Sequence, residues 1–223
     1  MTGTIAVIGG SGNLGAALAR RWAKSGRRVV IGSRDAAEAG AAAAKLAAEL
    51  GVEVSGASNL DAARRADVVV VAVPFGSQLQ VLEEIRPGVA GKVVIDTTVP
   101  LVPPKVARVQ LPPEGSAAQR AQKLLGADVR LVSAFHNVAA HKLATDEDVA
   151  CDVLVFGDDK AARAVAVELA EQAQLRGLHA GALANSAAGE ALTSILIFLN
   201  KTYRVDGAGI KITGQLIMDG AGE

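Results

Sequence analysis

The chain has 223 residues and no formal net charge at pH 7; half of its residues are hydrophobic, and only 3% are aromatic. This composition excludes a disordered chain, and the charge balance argues against a protein that binds nucleic acid through a basic face. The single cysteine, Cys151, excludes a disulfide framework and a four-cysteine zinc site. No apolar run approaches the roughly twenty residues that a bilayer requires, and the N-terminus has no basic leader. We therefore expect a soluble, cytoplasmic protein without a membrane segment.

Short β-branched runs alternate along the chain with longer, Ala-rich segments of helical period. This alternation predicts an α/β fold of the Rossmann type, with a doubly wound, mostly parallel sheet. The run at 68–73 has no polar residue, which is typical of a central strand buried on both faces. Strands are predicted at 5–8, 28–31, 52–54, 68–73, 92–95, 130–135 and 153–156, and helices at 13–24, 36–50, 60–65, 78–85, 116–125 and 160–175.

The pattern changes twice in the second half of the chain. Five of the seven prolines lie in 100–113, which predicts a long ordered loop, either a lid or a crossover. After residue 180, a long apolar helix through Asn200 and a short strand at 210–213 are predicted to form a small cap. We thus predict a main domain over 1–180 and a cap or dimerisation segment over 181–223. Because the helix is apolar on every side around 192–199, a homodimer is expected to cover it.

The strongest chemical signal is the glycine motif that joins the first predicted strand to the first helix, Gly10-Ser11-Gly12-Asn13-Leu14-Gly15. In such a G-x-G-x-x-G motif the first glycine permits a tight turn, the second lets the backbone approach a pyrophosphate, and the third lets helix and strand pack closely. The helix N-terminus presents free N–H groups to the anion. The motif predicts a dinucleotide site in the 1–180 domain; the alternative is a simple glycine-rich turn.

The end of the second strand distinguishes NAD from NADP. NAD sites usually place an acidic residue there to bind the adenosine ribose, whereas this chain has Ser33 and Arg34. A guanidinium binds a 2′-phosphate, which a carboxylate at position 33 would repel. These residues favour NADP(H). Two alternatives stay open: Asp35 as a ribose ligand after a shift of two residues, and Arg34 as a solvated surface residue.

The sequence lacks the residues that several types of reaction require. The only tyrosine, Tyr203, has Gly207 four residues on, which excludes the Tyr-Lys pair of short-chain dehydrogenases. The three histidines are not spaced with acidic residues or the cysteine as a zinc set, so no metal site is predicted. His136 stands out because it follows a predicted strand, where open α/β sheets bind ligands; the alternative is a hydrogen-bonded core histidine.

Short stretches spread over nearly the whole chain carry a family resemblance. They are 9–15, 32–34, 73–75, 116–118, 132–138, 157–159, 180–186, 190–193 and 209–211. In these stretches the chain resembles the F420-dependent NADP reductases. The Ser-Ala-x-His, Gly-Asp-Asp and Asn-Ser…Leu-Thr stretches, in that order, are more specific than the glycine motif.

The resemblance implies direct ring-to-ring hydride transfer between NADP(H) and the deazaflavin coenzyme F420, or a related flavin. The residues that it implies are Ser11, Asn13 and Leu14 at the pyrophosphate, Ser33 and Arg34 at the 2′-phosphate, Pro74 and Phe75 on the nicotinamide side, and His136, Val138 and Thr193 beside the deazaflavin ring. Val73 is also expected to bind the cofactor.

The residues themselves agree with such a reaction, because transfer between two cofactor rings requires neither a nucleophile nor a metal from the protein. His136 is then expected to orient or polarise the second ring rather than to act as an obligatory acid. Two alternatives stay open. One is a small NADPH-dependent carbonyl or imine reductase with His136 as the proton donor, and the other is a non-catalytic NADP-binding sensor module.

Overall fold

The computed structural model describes residues 3–217, in which eight strands form one sheet. The sheet order is β3-β2-β1-β4-β5-β6-β7-β8, and all neighbouring strands are parallel except β6 and β7. This confirms the predicted Rossmann-type, mostly parallel sheet. The strands are Ile5–Ile8 (β1), Val29–Ser33 (β2), Val54–Ser58 (β3), Val68–Val71 (β4), Val93–Asp96 (β5), Arg130–Ser133 (β6), Asp152–Gly157 (β7) and Arg176–His179 (β8).

The helices cover both faces of the sheet and enclose two cores. Successive side chains of β1 point to opposite faces, so that Ile5 and Val7 enter one core while Ala6 and Ile8 enter the other. All four residues of the valine run β4 are buried, as the absence of polar residues predicted. The helices are Asn13–Lys24 (α1), Ala36–Leu50 (α2), Asn59–Arg65 (α3), Phe75–Ile85 (α4), Ala117–Leu125 (α5), Ala140–Leu143 (α6), Lys160–Gln172 (α7) and Ser186–Tyr203 (α8).

The predicted strand at 210–213 is wrong, and the last strand is β8, which the sequence pattern missed. The tail contacts the first residue of β7: the Asp152 N–H donates to the Ile210 carbonyl at 2.7 Å, and the Ile212 N–H donates to the Asp152 carboxylate at 2.6 Å. That carboxylate also binds the Arg176 guanidinium, which lies on β8, at 2.7 and 2.6 Å. One backbone hydrogen bond and the Asp152 side chain therefore hold the tail where a ladder of backbone bonds was expected.

The proline-rich segment is a loop between β5 and α5, as predicted, and it lies against α8. The Ser194 hydroxyl of α8 donates to the carbonyl of Arg108 in this loop at 3.3 Å. Ser116 caps the N-terminus of α5, as its place in the predicted capping box requires, because its hydroxyl accepts the Gln119 N–H at 2.9 Å. The domain boundary after residue 180 stays a prediction, and residues 1–2 and 218–223 of those domains lie outside the described part. Within 3–217, no helix is long and apolar enough to cross a membrane.

Candidate active site

The glycine loop between β1 and α1 has the tight backbone that the motif predicted. Gly9 has a positive φ of 78°, which favours glycine. A Cβ at Gly15 would overlap the carbonyl oxygen of Gly9, whereas a Cβ at Gly12 would lie 3.3 Å from that oxygen. The third glycine of the motif is therefore required for the close packing of helix on strand, and the second leaves the loop surface open.

The N-terminus of α1 is free to bind an anion. Gly12 is its N-cap, no side chain caps the helix, and its first turn contains no acidic residue. Ser11, Gly12 and Asn13 are exposed. Because the first N–H groups of a helix lack intrahelical partners and carry the positive end of its dipole, this end suits a phosphate group.

A cleft of about 190 Å³ opens beside this loop, where the ends of β1, β2 and β4 meet. Six predicted site residues line it: Ser11, Gly12, Ser33, Arg34, Val73 and Pro74. Three polar residues that the sequence pattern did not indicate also line it, Glu38, Asn59 and Ser77. The structure thus joins residues from four separate stretches of the chain into one site.

The end of β2 has a carboxylate that was not expected beside Ser33 and Arg34. The Asp35 carboxylate caps α2 by accepting the N–H groups of Ala37 at 2.8 Å and Glu38 at 3.4 Å, which argues against Asp35 as a ribose ligand. Glu38 instead lies at the strand end, where its Oε2 accepts the Ser33 hydroxyl at 2.9 Å. The Asp35-x-x-Glu38 spacing of a capping box was the sequence signal for this turn. Arg34 is exposed, and its side chain makes no hydrogen bond or ion pair with the rest of the described chain.

Asn59 lines the same cleft and has one unpaired polar atom. Its Nδ2 donates to Glu84 at 3.0 Å, which identifies its other amide atom as the oxygen. That Oδ1 is buried without a partner among residues 3–217. A buried polar atom left unpaired costs the folded protein about 1–3 kcal/mol.

Phe75 starts α4 at the end of β4 but does not line this cleft. The Arg120 guanidinium lies 4.0 Å from the centre of its ring and donates to its carbonyl at 3.1 Å. Arg120 also donates to Gln78 at 2.9 Å. These contacts from α5 fix the position of Phe75 at the start of α4.

The backbone after β6 turns sharply at Phe135. This residue has a φ of 65°, a conformation that residues other than glycine rarely adopt, and its side chain is fully buried. Its ring meets Trp22 edge to face, with the ring centres 5.9 Å apart. Such a strained backbone conformation persists only when packing holds it. The turn at Phe135 determines where the next residue, His136, lies.

His136 is buried and neutral. Its Nε2 lies 2.8 Å from the Ser133 hydroxyl, its Nδ1 has no partner among the described residues, and only 5% of the residue is exposed. Burial lowers the pKa of His136 to about 4. At neutral pH roughly one imidazole in a thousand would carry a proton. This disfavours His136 as a proton donor, the role that the reductase alternative requires.

The other two residues predicted beside the second ring lie close to His136. The Thr193 hydroxyl of α8 donates to the His136 carbonyl at 2.9 Å. Val138 is buried and belongs to the hydrophobic core on one face of the sheet. These three residues thus lie together, but they line neither the cleft nor the groove described below.

Two buried carboxylates behind this region were not anticipated. Glu190 of α8 accepts the N–H groups of Ala117 at 2.6 Å and Ala118 at 3.0 Å, at the start of α5. Burial raises the pKa of Glu190 to about 8, although these hydrogen bonds oppose the shift. Asp96, at the end of β5, accepts a hydrogen bond from Gln78, and burial raises its pKa as well.

A larger groove, of about 640 Å³, lies between α1, α2 and α6. The predicted residues Gly10, Ser11 and Asn13 line one end of it, while Leu14 packs half-buried against the core. Most of its lining lies away from the strand ends, so its size alone does not make it the reaction site. In the described part of the chain, no three His, Cys, Asp or Glu side chains could hold a metal ion together.

Comparison with known proteins places this geometry in context. The model of the family "NADP oxidoreductase coenzyme F420-dependent" matches residues 4–100. The chain is 44% identical to an F420-dependent NADP reductase of Methanothermobacter thermautotrophicus, over 94% of each protein. It is 38% identical to the enzyme of that name in Methanocaldococcus jannaschii, over 94% of this chain and 97% of the other. A solved structure of a putative F420-dependent NADP reductase from Arthrobacter sp. FB24 shares the fold, with a TM-score of 0.78 and 24% identity over 95% of this chain and 100% of that one.

Proposed function

The chain belongs to the family of F420-dependent NADP reductases, and on this premise we propose that it transfers a hydride between NADP(H) and coenzyme F420 at the carboxyl edge of its sheet. The observation that carries the proposal is the cleft beside the glycine loop, which combines an uncapped helix N-terminus with an unpaired guanidinium. Phosphate groups bind at such helix ends and to such side chains.

The residues fit a dinucleotide in three respects. The loop has no side chain at Gly12 that would block a pyrophosphate, and the N–H groups at Ser11 and Asn13 would bind it. Arg34 would bind the 2′-phosphate, since no other group engages it in the described chain. Asn59 also lines the cleft, where its side chain would contact the adenosine part.

The two cofactor rings supply the electronic chemistry of hydride transfer themselves when bound, provided that they are stacked at about 3–3.5 Å. The role of the protein is therefore to position the two rings and to exclude water from them. We assign Pro74 and Phe75 to the nicotinamide side and His136, Val138 and Thr193 to the side of the second ring. The support for this second group is that His136 and Thr193 are joined by a hydrogen bond at the end of β6.

His136 would act as a positioning residue. Its imidazole is neutral at physiological pH because burial lowers its pKa to about 4. It is also held by Ser133 at 2.8 Å, so it presents a fixed dipole rather than a mobile proton. A neutral, fixed imidazole can orient a ring by hydrogen bonding without taking part in proton transfer.

The test is a direct assay of the purified protein with NADPH and F420, in which the deazaflavin absorbance is followed. Turnover with F420 supports the proposal, and absence of turnover at saturating concentrations of both contradicts it. Parallel reactions replace F420 with a flavin, a carbonyl compound or a cyclic imine. Turnover of the last two only, abolished in His136→Ala, would instead establish the reductase alternative. NADPH binding without any acceptor would establish the sensor alternative.

We also propose that the enzyme is a homodimer that uses α8 as its interface. Ile195 and Phe198 of this helix are 46% and 53% exposed, whereas Leu196 is buried. An apolar surface of this kind is typical of an interface. Light scattering at low concentration tests this, and a monomer mass would contradict it. The cytoplasmic location stays a prediction.

A further inference from the structure

The adenosine end of the proposed nucleotide cleft contains a carboxylate. Asp35 caps α2, and the first turn of the helix then brings Glu38 back to the end of β2. There its Oε2 accepts the hydrogen bond of the Ser33 hydroxyl at 2.9 Å, and both side chains line the cleft. Glu38 is exposed to solvent and has room to contact a ligand.

This contact weakens the site for a 2′-phosphate. A phosphate beside Ser33 would have to replace Glu38 as the partner of the hydroxyl, and it would then lie near a like charge. Among the described residues that line the cleft, Arg34 is the only cation. Glu38 therefore offsets the one positive charge that favours the phosphate.

The same group suits a free 2′-hydroxyl. A ribose hydroxyl is a hydrogen-bond donor, and an acidic residue near the end of the second strand is the usual acceptor in NAD sites. The cleft offers such an acceptor in the exposed Glu38 carboxylate. It therefore contains a group for each form of the nucleotide, a guanidinium for the phosphate and a carboxylate for the hydroxyl.

We propose that Glu38 sets the nucleotide selectivity of this enzyme and keeps it low, so that NAD(H) binds in the same cleft with an affinity within about thirtyfold of that of NADP(H). The inference rests on the proposed function, since it requires that the cleft hold the adenosine ribose. It identifies Glu38 as a specificity-determining residue with a charge opposite to that of its neighbour Arg34.

The test is a fluorescence titration of the full chain with NADPH and with NADH, which gives the ratio of the two dissociation constants without F420. We expect NADPH to bind no more than about thirtyfold more tightly than NADH in the wild type. Glu38→Gln removes the charge but keeps the shape, and should raise the ratio by about threefold or more. Glu38→Lys should raise it further, because it adds a second cation. Arg34→Gln should lower it by weakening NADPH binding alone.

The matched control is Glu53→Gln, an exposed glutamate just beyond α2 that does not line the cleft, and its ratio should equal that of the wild type. A wild-type ratio above about thirty, or a change of less than about threefold in both Glu38 variants, overturns the inference. Far-ultraviolet circular dichroism confirms that each variant is folded. If the protein binds NADPH but does not reduce F420, the proposed function is contradicted. The ratio of the dissociation constants for NADPH and NADH still tests the role of Glu38 in that case. A protein that binds neither nucleotide overturns both.

Discussion

The hydroxyl of Thr193 donates a hydrogen bond of 2.9 Å to the backbone carbonyl of His136. It joins α8 to the end of β6, two elements that are far apart in the sequence. The carbonyl belongs to the residue that follows the strained Phe135, so the bond fixes a segment whose conformation is otherwise unfavourable. It is the direct link between the C-terminal helix and the proposed side of the second ring.

Thr193→Val tests this link, because valine keeps the shape of threonine but lacks the hydroxyl. We expect a loss of about 1 kcal/mol in the free energy of unfolding and a several-fold lower kcat/KM for F420. The dissociation constant for NADPH should be unchanged, since Thr193 does not line the nucleotide cleft. Thr193→Ser keeps the donor and should retain activity. An equal loss of NADPH affinity in the valine variant would contradict the assignment.

Replacing Gly15 and Gly12 of the motif with alanine should have different effects on stability. In Gly15→Ala the new methyl group overlaps the Gly9 carbonyl, and overpacking of this kind costs about 1–3 kcal/mol. In Gly12→Ala the methyl group lies 3.3 Å from the same backbone oxygen, a close contact rather than an overlap, so stability should fall less than in Gly15→Ala while NADPH binding weakens. Thermal unfolding and NADPH titration distinguish the two effects.

Gly40→Ala is the control for these glycine variants. Gly40 lies inside α2, and a Cβ there would meet no atom within 4 Å. Alanine in a helix interior is favoured over glycine by about 0.5–1 kcal/mol, so this variant should be slightly more stable and bind NADPH normally. Equal stability of the Gly12 and Gly15 variants would contradict the packing role of Gly15.

Glu190 should make the stability of the protein depend on pH. Its pKa is about 8 in the folded state against an ordinary value of 4.5, so the folded state binds the proton more tightly. Its contribution to stability is therefore full below pH 4.5 and is lost as pH rises to 8. Glu190→Gln, which stays neutral, should remove this decline when the free energy of unfolding is measured at pH 5, 6.5 and 8. The exposed Glu171→Gln is the control, and an unchanged decline in the Glu190 variant would contradict the prediction.

The titration of His136 should make the free energy of unfolding change with pH in the opposite direction. Its pKa is about 4 when folded and 6.5 ordinarily, so the unfolded state binds the proton more tightly. Stability should be lost as pH falls from 6.5 to 4, by about 3 kcal/mol if this group acts alone. An NMR titration of the imidazole should find its midpoint below pH 5. A midpoint above 6 would mean that the ring is accessible and able to exchange protons in catalysis.

The sequence by itself determined the order of the elements and the nucleotide motif, because both depend on neighbours within a few residues. The bounds of β1, α1 and α2 agree with the predicted ranges, and the capping box at Ser116 starts α5 as expected. The edge strand β8 was missed because its sequence, Arg-Gly-Leu-His, has no β-branched residue. It is a strand because β7 pairs with it.

Only the tertiary structure decided which groups meet at the site. Glu38 reaches Ser33 because the first turn of α2 brings it back to the end of β2. Burial leaves the Oδ1 of Asn59 without a partner among the described residues. Burial of His136 lowers its pKa and makes it neutral. Burial and contacts between distant elements depend on how the whole sheet is assembled, and local periodicity contains no record of them. The sequence therefore predicted a dinucleotide enzyme with Arg34 at the 2′-phosphate, while the carboxylate of Glu38 beside it could be identified only in the folded chain.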